Sequence, residues 1–205
     1  RRDISLTAMT DDNRYHVLNR ALKKLRGHAL EVDIDGLEPL QLSLSNLNIE
    51  GANTSFQVHL RVNPEQFANC YNAAQLGTAA ALAISTNSPL LMGHRLWEET
   101  RVILFKQSVE SRHMQRKHYV GPSRAGLGNG WVESSALELF EASVNDYPVL
   151  IPEYSHEDYQ QILSDGGIPK LADLHMHHGS IWHWNRAIYD AVRIPVKMNA
   201  RSGNK

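Results

Sequence analysis

Strict alternation of apolar and polar positions runs through residues 53 to 62, Asn-Thr-Ser-Phe-Gln-Val-His-Leu-Arg-Val. As a strand, this segment puts Phe56, Val58, Leu60 and Val62 on one face and Ser55, Gln57, His59 and Arg61 on the other. An amide, an imidazole and a guanidinium then stand roughly 7 Å apart on one rigid face, able to hold a metal and an anionic substrate. The plainer reading is a wet outer sheet surface, since antiparallel sheets often expose one polar face.

The remaining pattern predicts the elements around this strand. Tyr15, Leu18, Ala21, Leu22 and Leu25 follow Thr10, Asp11 and Asp12 at helical spacing and stop at Gly27, an amphipathic helix. Leu30, Val32 and Ile34 alternate with Glu31 and Asp33 up to a turn at Asp35-Gly36, and Leu42, Leu44, Leu47 and Ile49 suggest a second strand. Asn63-Pro64 ends the third strand, 54–62, and opens a helix that runs to about Thr86, where Asn87, Ser88 and Pro89 stop it. Its apolar run, Ala73 to Ile84, reads as a buried helix. Residues 95–112 are ambiguous and are assigned mostly to helix, whereas 121–130, with Gly121, Gly126, Gly128 and Gly130, form a loop. Ser135 and Glu138 make a capping box for a helix that carries Leu137, Leu139, Phe140 and Val144 into the core before Pro148. A short helix is expected from Ser155 to Gly166-Gly167. Leu174 to Tyr189 reads as strand, turn at His178-Gly179, strand. Helices and strands mix without regular βαβ alternation, which predicts an α+β fold on an antiparallel sheet, a single domain over 1–205.

Composition narrows the function. With 21 basic and 22 acidic side chains the formal net charge is -1, so no basic field exists to attract nucleic acid or an anionic membrane. The run 73–84 falls short of the roughly 20 residues that span a bilayer. No secretion signal follows Arg1-Arg2-Asp3, and the one cysteine, Cys70, reads as a small buried helix residue in a chain suited to a reducing cytoplasm. The chain has no initiator methionine, so truncation or processing is expected.

Three clusters carry candidate chemistry. Among eleven histidines, His175, His177 and His178 lie close together, with His183 across the proposed turn; on a strand His175 and His177 share a face and open a metal-dependent hydrolase reading. Trp182, Trp184 and Arg186 share a strand face, where indole stacking would aim the guanidinium at a carboxylate or phosphate. Arg95 and Arg101, around Trp97, admit the same use or a surface salt bridge of little value. The glycine loop at 121–130 is a further phosphate-contact candidate, although it lacks the Lys-Ser/Thr ending of a P-loop.

Six segments occur in register: Asn53 to Leu60, Tyr71-Asn-Ala-Ala-Gln75, Asn87-Ser-Pro89, Arg95-Leu-Trp-Glu-Glu-Thr-Arg101, Gly130-Trp-Val132 and His178-Gly-Ser-Ile-Trp-His-Trp-Asn-Arg186. In that order the chain resembles the carboxylate-amine ligases related to glutamate-cysteine ligase, the second glutamate-cysteine ligase family, over nearly its whole length. The resemblance implies a glutamine synthetase-like fold, a curved antiparallel sheet backed by helices with the site in its concave face. It implies use of ATP and Mg2+ to phosphorylate a small-molecule carboxylate, often glutamate, followed by attack of an amine, as in glutathione biosynthesis. Such a reaction brings anions together, so divalent metal and fixed arginines are needed to offset their repulsion.

Residue by residue, the resemblance makes His59 a metal or nucleotide-site ligand with Gln57 beside it. Arg101 and Arg186 become anion binders of the catalytic site, and Arg95, Trp184 and Asn185 weaker contacts to substrate or ATP. Two departures stand out. The acidic Glu-x-Glu metal-binding strand of the family has no equivalent here, and its later Arg-Ile-Glu is matched by Arg193-Ile-Pro195, where proline supplies no carboxylate. The expectation is therefore a piece of a ligase that does not turn over in this form, the competing reading being a non-catalytic nucleotide- or anion-binding module. The acid and amine joined, and the oligomeric state, homo-oligomer included, are left open.

Overall fold

The computed structural model describes residues 13–111, 122–152 and 154–189. Thr10 to Asp12, Gly121, Arg193-Ile-Pro195 and the tail from Asn199 lie outside the described residues. Within them the chain is a mixed α+β structure of six α-helices and three two-stranded sheets.

Helix α1 (Asn13–Arg26) buries Leu22 and ends at Gly27, whose N–H bonds the Lys23 carbonyl at 2.9 Å and whose φ of +76° is the left-handed turn that favours glycine. Strands β1 (Leu30–Ile34) and β2 (Leu40–Leu44) form an antiparallel hairpin that pairs Leu30 with Leu44, Val32 with Leu42 and Ile34 with Leu40. The alternation in β1 sends Leu30, Val32 and Ile34 into the core and Glu31 and Asp33 to solvent, as period-2 patterning requires. The turn closes tightly: a Cβ on Gly36 would fall 2.6 Å from the Leu96 Cα. Beneath the hairpin lies α3 (Thr100–Ser108), which inserts Leu104, and Leu47, Ile49, Leu96 and Leu150 complete this core. Buried Arg26 crosses from α1 to donate to the carbonyls of Ser108 and Glu110, both at 3.0 Å, where α3 runs out of intrahelical partners. Burial pushes its pKa down.

Past Ile49 the chain departs from the expected pattern. Residues 53–63 belong to no helix or strand among the described residues, and the alternation that predicted a strand is displayed to solvent on both sides, with Phe56 90% exposed. Alternation supplies a strand's side-chain pattern, but a ladder also needs a neighbour for its N–H and C=O groups. Helix α2 (Phe67–Ser85) follows a 3-10 turn opened by Pro64. It is not the buried helix predicted: only Ala68 and Tyr71 are buried, Leu76 and Ile84 face solvent, and Cys70 is exposed rather than enclosed. With no charged residue along its length, its apolarity is not confined to one stripe.

The described part of the ambiguous stretch, residues 95–111, holds the end of β4 (His94–Arg95), paired with β3 (Leu90–Leu91), and then α3; residue 112 lies outside the described residues. The capping-box helix exists as α4 (Leu137–Asp146). The Glu138 carboxylate accepts the N–H groups of Glu133, Ser134 and Ser135 at 2.6 to 2.9 Å, and these bonds hold its pKa down at about 2. Leu137 and Val144 stay exposed, contrary to expectation, and Ser143 takes the buried position. After α5 (Tyr159–Ser164), the predicted strand-turn-strand at 174–189 is instead α6 (Ala172–His178) followed by the two-residue strand β6 (Trp182–His183). Strand β6 pairs in parallel with β5 (Ala125–Gly126), matching Ala125 to Trp182 and Gly126 to His183.

Candidate functional site

The cleft is built from α2 outward. Tyr71, Asn72, Gln75 and Thr78 recur at i, i+1, i+4 and i+7 and so occupy one side of the helix. The Asn72 amide makes a reciprocal pair with Val132, donating to its carbonyl at 2.8 Å and accepting its N–H at 3.0 Å. Gln75 donates to the Leu127 carbonyl at 2.5 Å and accepts from the Asn185 amide at 2.6 Å, while Asn185 also donates to Thr78 Oγ1 at 3.1 Å. Tyr71 donates its hydroxyl to the Asn185 carbonyl at 3.2 Å, and burial raises its pKa. The helix is thus moored by its polar side while its apolar side faces water.

Three of the sequence segments meet here: Tyr71 to Gln75, Gly130 to Val132 and His178 to Arg186. They enclose a cleft of about 110 Å³ lined among others by Gly128, Gly130, Glu138, His178, His183 and Arg186. Gly128 and Gly130 line it with bare backbone. At Gly128 the φ of +85° disfavours any side chain, and a Cβ there would stand 3.6 Å from Nδ1 of His183.

Arg186 is half-buried and has one long hydrogen bond, Nη1 to the Ile181 carbonyl at 3.4 Å; among the described residues it has no carboxylate partner. Burial lowers its pKa, the response of a cation without a counter-charge. His183 accepts from or donates to the Tyr147 hydroxyl through Nε2 at 2.9 Å, and burial followed by the nearby Arg186 charge lowers its pKa. His178 donates Nε2–H to the Ala187 carbonyl at 3.1 Å and leaves Nδ1 buried without a partner; burial above all pushes it down to about 4. Behind this wall fully buried Arg124 donates to the carbonyls of Ser180 and Pro148 and lies over the Tyr147 ring, 5.8 Å from its centroid.

The other predicted residues fall elsewhere. Arg101 is held bidentately by Glu99, Nε to Oε1 at 2.6 Å and Nη2 to Oε2 at 2.9 Å, and it also donates to Asn87 Oδ1 and the Thr54 carbonyl. Its donors tie the Asn87-Ser-Pro89 segment to α3, with Ser88 bonding the same carboxylate. The Arg95 side chain is exposed. Trp184 turns to Phe105, ring centroids 5.5 Å apart, and Trp182 packs on the main core, so the expected indole stack on Arg186 is not what orients it. Gln57 and His59 lie on the exposed segment, bonded to each other at 3.4 Å, and neither lines the cleft that holds Arg186.

The histidine metal cluster is also corrected. On a helix His175 and His177 diverge instead of sharing a face; His177 bonds the Ser143 carbonyl at 2.6 Å and His175 packs on the Tyr189 edge. Among the described residues no three His, Cys, Asp or Glu side chains gather as a cation site. Magnesium prefers oxygen ligands in octahedral array, and His59 with one amide neighbour does not supply them, so the described residues do not fit that ion. At about 110 Å³ the cleft has room for one small group and is smaller than the roughly 300–1,000 Å³ usual for a drug-sized ligand.

Of the residues singled out in the sequence, Arg186 and Asn185 line this cleft; His178 and His183, read there as metal candidates, line it too, and Tyr147 was not singled out. The glycines at 126, 128 and 130 were the available signal. Compared with known protein families, curated proteins and solved structures, the chain matches none. Among the described residues no helix is long and apolar enough to cross a membrane.

Proposed function

We propose that this protein handles small anionic substrates as a cytoplasmic carboxylate-amine ligase of the glutamate-cysteine ligase type, with Arg186 as an anion subsite. The observation that carries the reading is a half-buried guanidinium, without a carboxylate partner among the described residues, in a cleft whose walls come from three of the segments on which the resemblance rests. A desolvated cation of this kind is stabilised when a carboxylate or phosphate arrives, and Arg binds either in bidentate fashion. The hydrogen bonds from Asn185 to Gln75 and Thr78 hold the residue next to Arg186 against α2, so the cation is presented from a fixed backbone. The curved glutamine synthetase-like sheet, ATP and Mg2+ belong to this reading through the resemblance, and no step is assigned to the metal.

A second reading, an anion-binding module without catalysis, is favoured by the lack of a gathered cation site among the described residues. Calorimetry with glutamate, inorganic phosphate and ATP, with and without Mg2+, together with an assay of phosphate release in the presence of amines, separates the two. Release dependent on glutamate and amine supports the ligase, whereas saturable binding without release supports the module. If wild-type protein and Arg186→Met give the same heats with all three anions, both readings fail.

A further inference from the structure

We propose that the cleft takes a tetrahedral, doubly charged oxyanion of the phosphate or sulfate kind between Arg186 and His183, and takes up a proton on His183 as it binds. This rests on the reading of Arg186 as an anion subsite and specifies its ligand.

The geometry comes first. His183 and Arg186 line one cleft with Gly128 and Gly130, and the Nδ1 edge of the imidazole faces Gly128, 3.6 Å from where a Cβ would stand. Nε2 is committed to Tyr147. A proton added at Nδ1 leaves both ring nitrogens as donors, one to the phenol oxygen and one available to the anion. A guanidinium and an imidazolium together match two negative charges, and a monoanionic carboxylate matches only the first.

The other charged or titratable groups around the cleft do not take this part. Glu138 is ionised and engaged by three backbone N–H groups. His178 donates from Nε2 to the Ala187 carbonyl and has its other nitrogen sealed in apolar surroundings, which keeps it neutral near pH 6. His177 is bonded to the Ser143 carbonyl, and the Tyr71 and Tyr147 hydroxyls are engaged by the Asn185 carbonyl and by His183. That leaves His183, whose charged form burial and then Arg186 disfavour in the free protein and an arriving dianion would favour.

The experiment is calorimetric titration of the full chain with sulfate, which stays a dianion across the range, and with acetate, each in two buffers of different ionisation enthalpy. Wild-type protein is expected to bind sulfate in preference to acetate, to take up a fraction of a proton per sulfate at pH 6.5, and to weaken about ten-fold from pH 5.5 to 7.5. His183→Asn is expected to keep measurable sulfate binding with neither proton uptake nor pH dependence, while His175→Gln, on α6 outside the cleft lining, keeps both. Sulfate binding without proton uptake, or acetate bound as well as sulfate, overturns the proposal and leaves the anion subsite standing. No binding of either ion removes both. Tighter binding of O-phosphoserine than of inorganic phosphate assigns the cleft to a phosphoryl group carried on a substrate, and the reverse order assigns it to the free ion; either supports the proposal.

Discussion

Glu99 and Arg101, two residues apart at the start of α3, form a two-pronged ion pair with contacts of 2.6 and 2.9 Å, and the buried carboxylate also receives the Ser88 hydroxyl and the Asn87 N–H. Arginine, serine and backbone donors together hold Glu99 at about 2, well below the usual carboxylate range, with the Arg101 bond the largest influence. A carboxylate whose pKa falls on folding stabilises the native state above its unfolded pKa and loses that contribution as pH drops through the folded value. Stability attributable to this pair is therefore full above about pH 4.5 and gone near pH 2. Glu99→Gln is expected to lower stability at pH 7 by on the order of 2 kcal/mol and to flatten the loss between pH 4.5 and 2, as urea titrations at several pH values would read. An unchanged acid profile in the variant would refute the assignment.

Arg186→Met should separate stability from binding. Removing a half-buried cation that has no carboxylate partner among the described residues leaves no orphaned charge, so the ligand-free variant is expected to melt at the wild-type temperature or a few degrees higher. The same variant is expected to lose anion-induced stabilisation in a thermal shift series with phosphate. A strongly destabilised Arg186→Met would mean that the guanidinium is a structural strut.

Side chains of the alternating segment and of α3 should respond in opposite ways. Phe56→Ser and Leu60→Ser change residues already in solvent and are expected to alter unfolding free energy by less than about 0.5 kcal/mol. Leu104→Ala, at a fully buried position between hairpin and helix, is expected to cost about 2–5 kcal/mol. Equal effects at the two sites in chemical denaturation would contradict the burial described.

Asn72→Ala breaks the reciprocal pair with Val132 and leaves a part-buried N–H and C=O without their partner. A loss of about 1–3 kcal/mol is expected, along with faster amide exchange through 127–132 and weaker anion binding, because that loop is a wall of the cleft. Wild-type exchange rates in the loop would show that its position does not depend on α2.

Local rules made part of this structure legible. The helix ending at Gly27, the strand with buried Leu30, Val32 and Ile34, the Pro64 entry into α2 and the Glu138 cap each follow from spacing and backbone chemistry within a few residues. The errors came where distant partners decide. Phe56, Val58 and Leu60 alternate as a strand should, but pairing requires a neighbour, and α2 is apolar yet anchored by Tyr71, Asn72, Gln75 and Thr78. Arg101 and Arg186 look alike as exposed-or-functional arginines in sequence. One proved to be consumed by Glu99 two positions away, and the other to lie beside His183 and opposite glycines more than fifty residues earlier.

The parallel bridge of Ala125 to Trp182 and Gly126 to His183 has a kinetic consequence. Its strands contribute two backbone bonds across a long stretch of intervening chain, and the entropy of closing that loop must be overcome before either bond forms. The hairpin β1–β2, with neighbouring residues to pair, has no such delay. Refolding should therefore recover hairpin amide protection well before anion affinity, making ligand binding a clock for the last step of assembly.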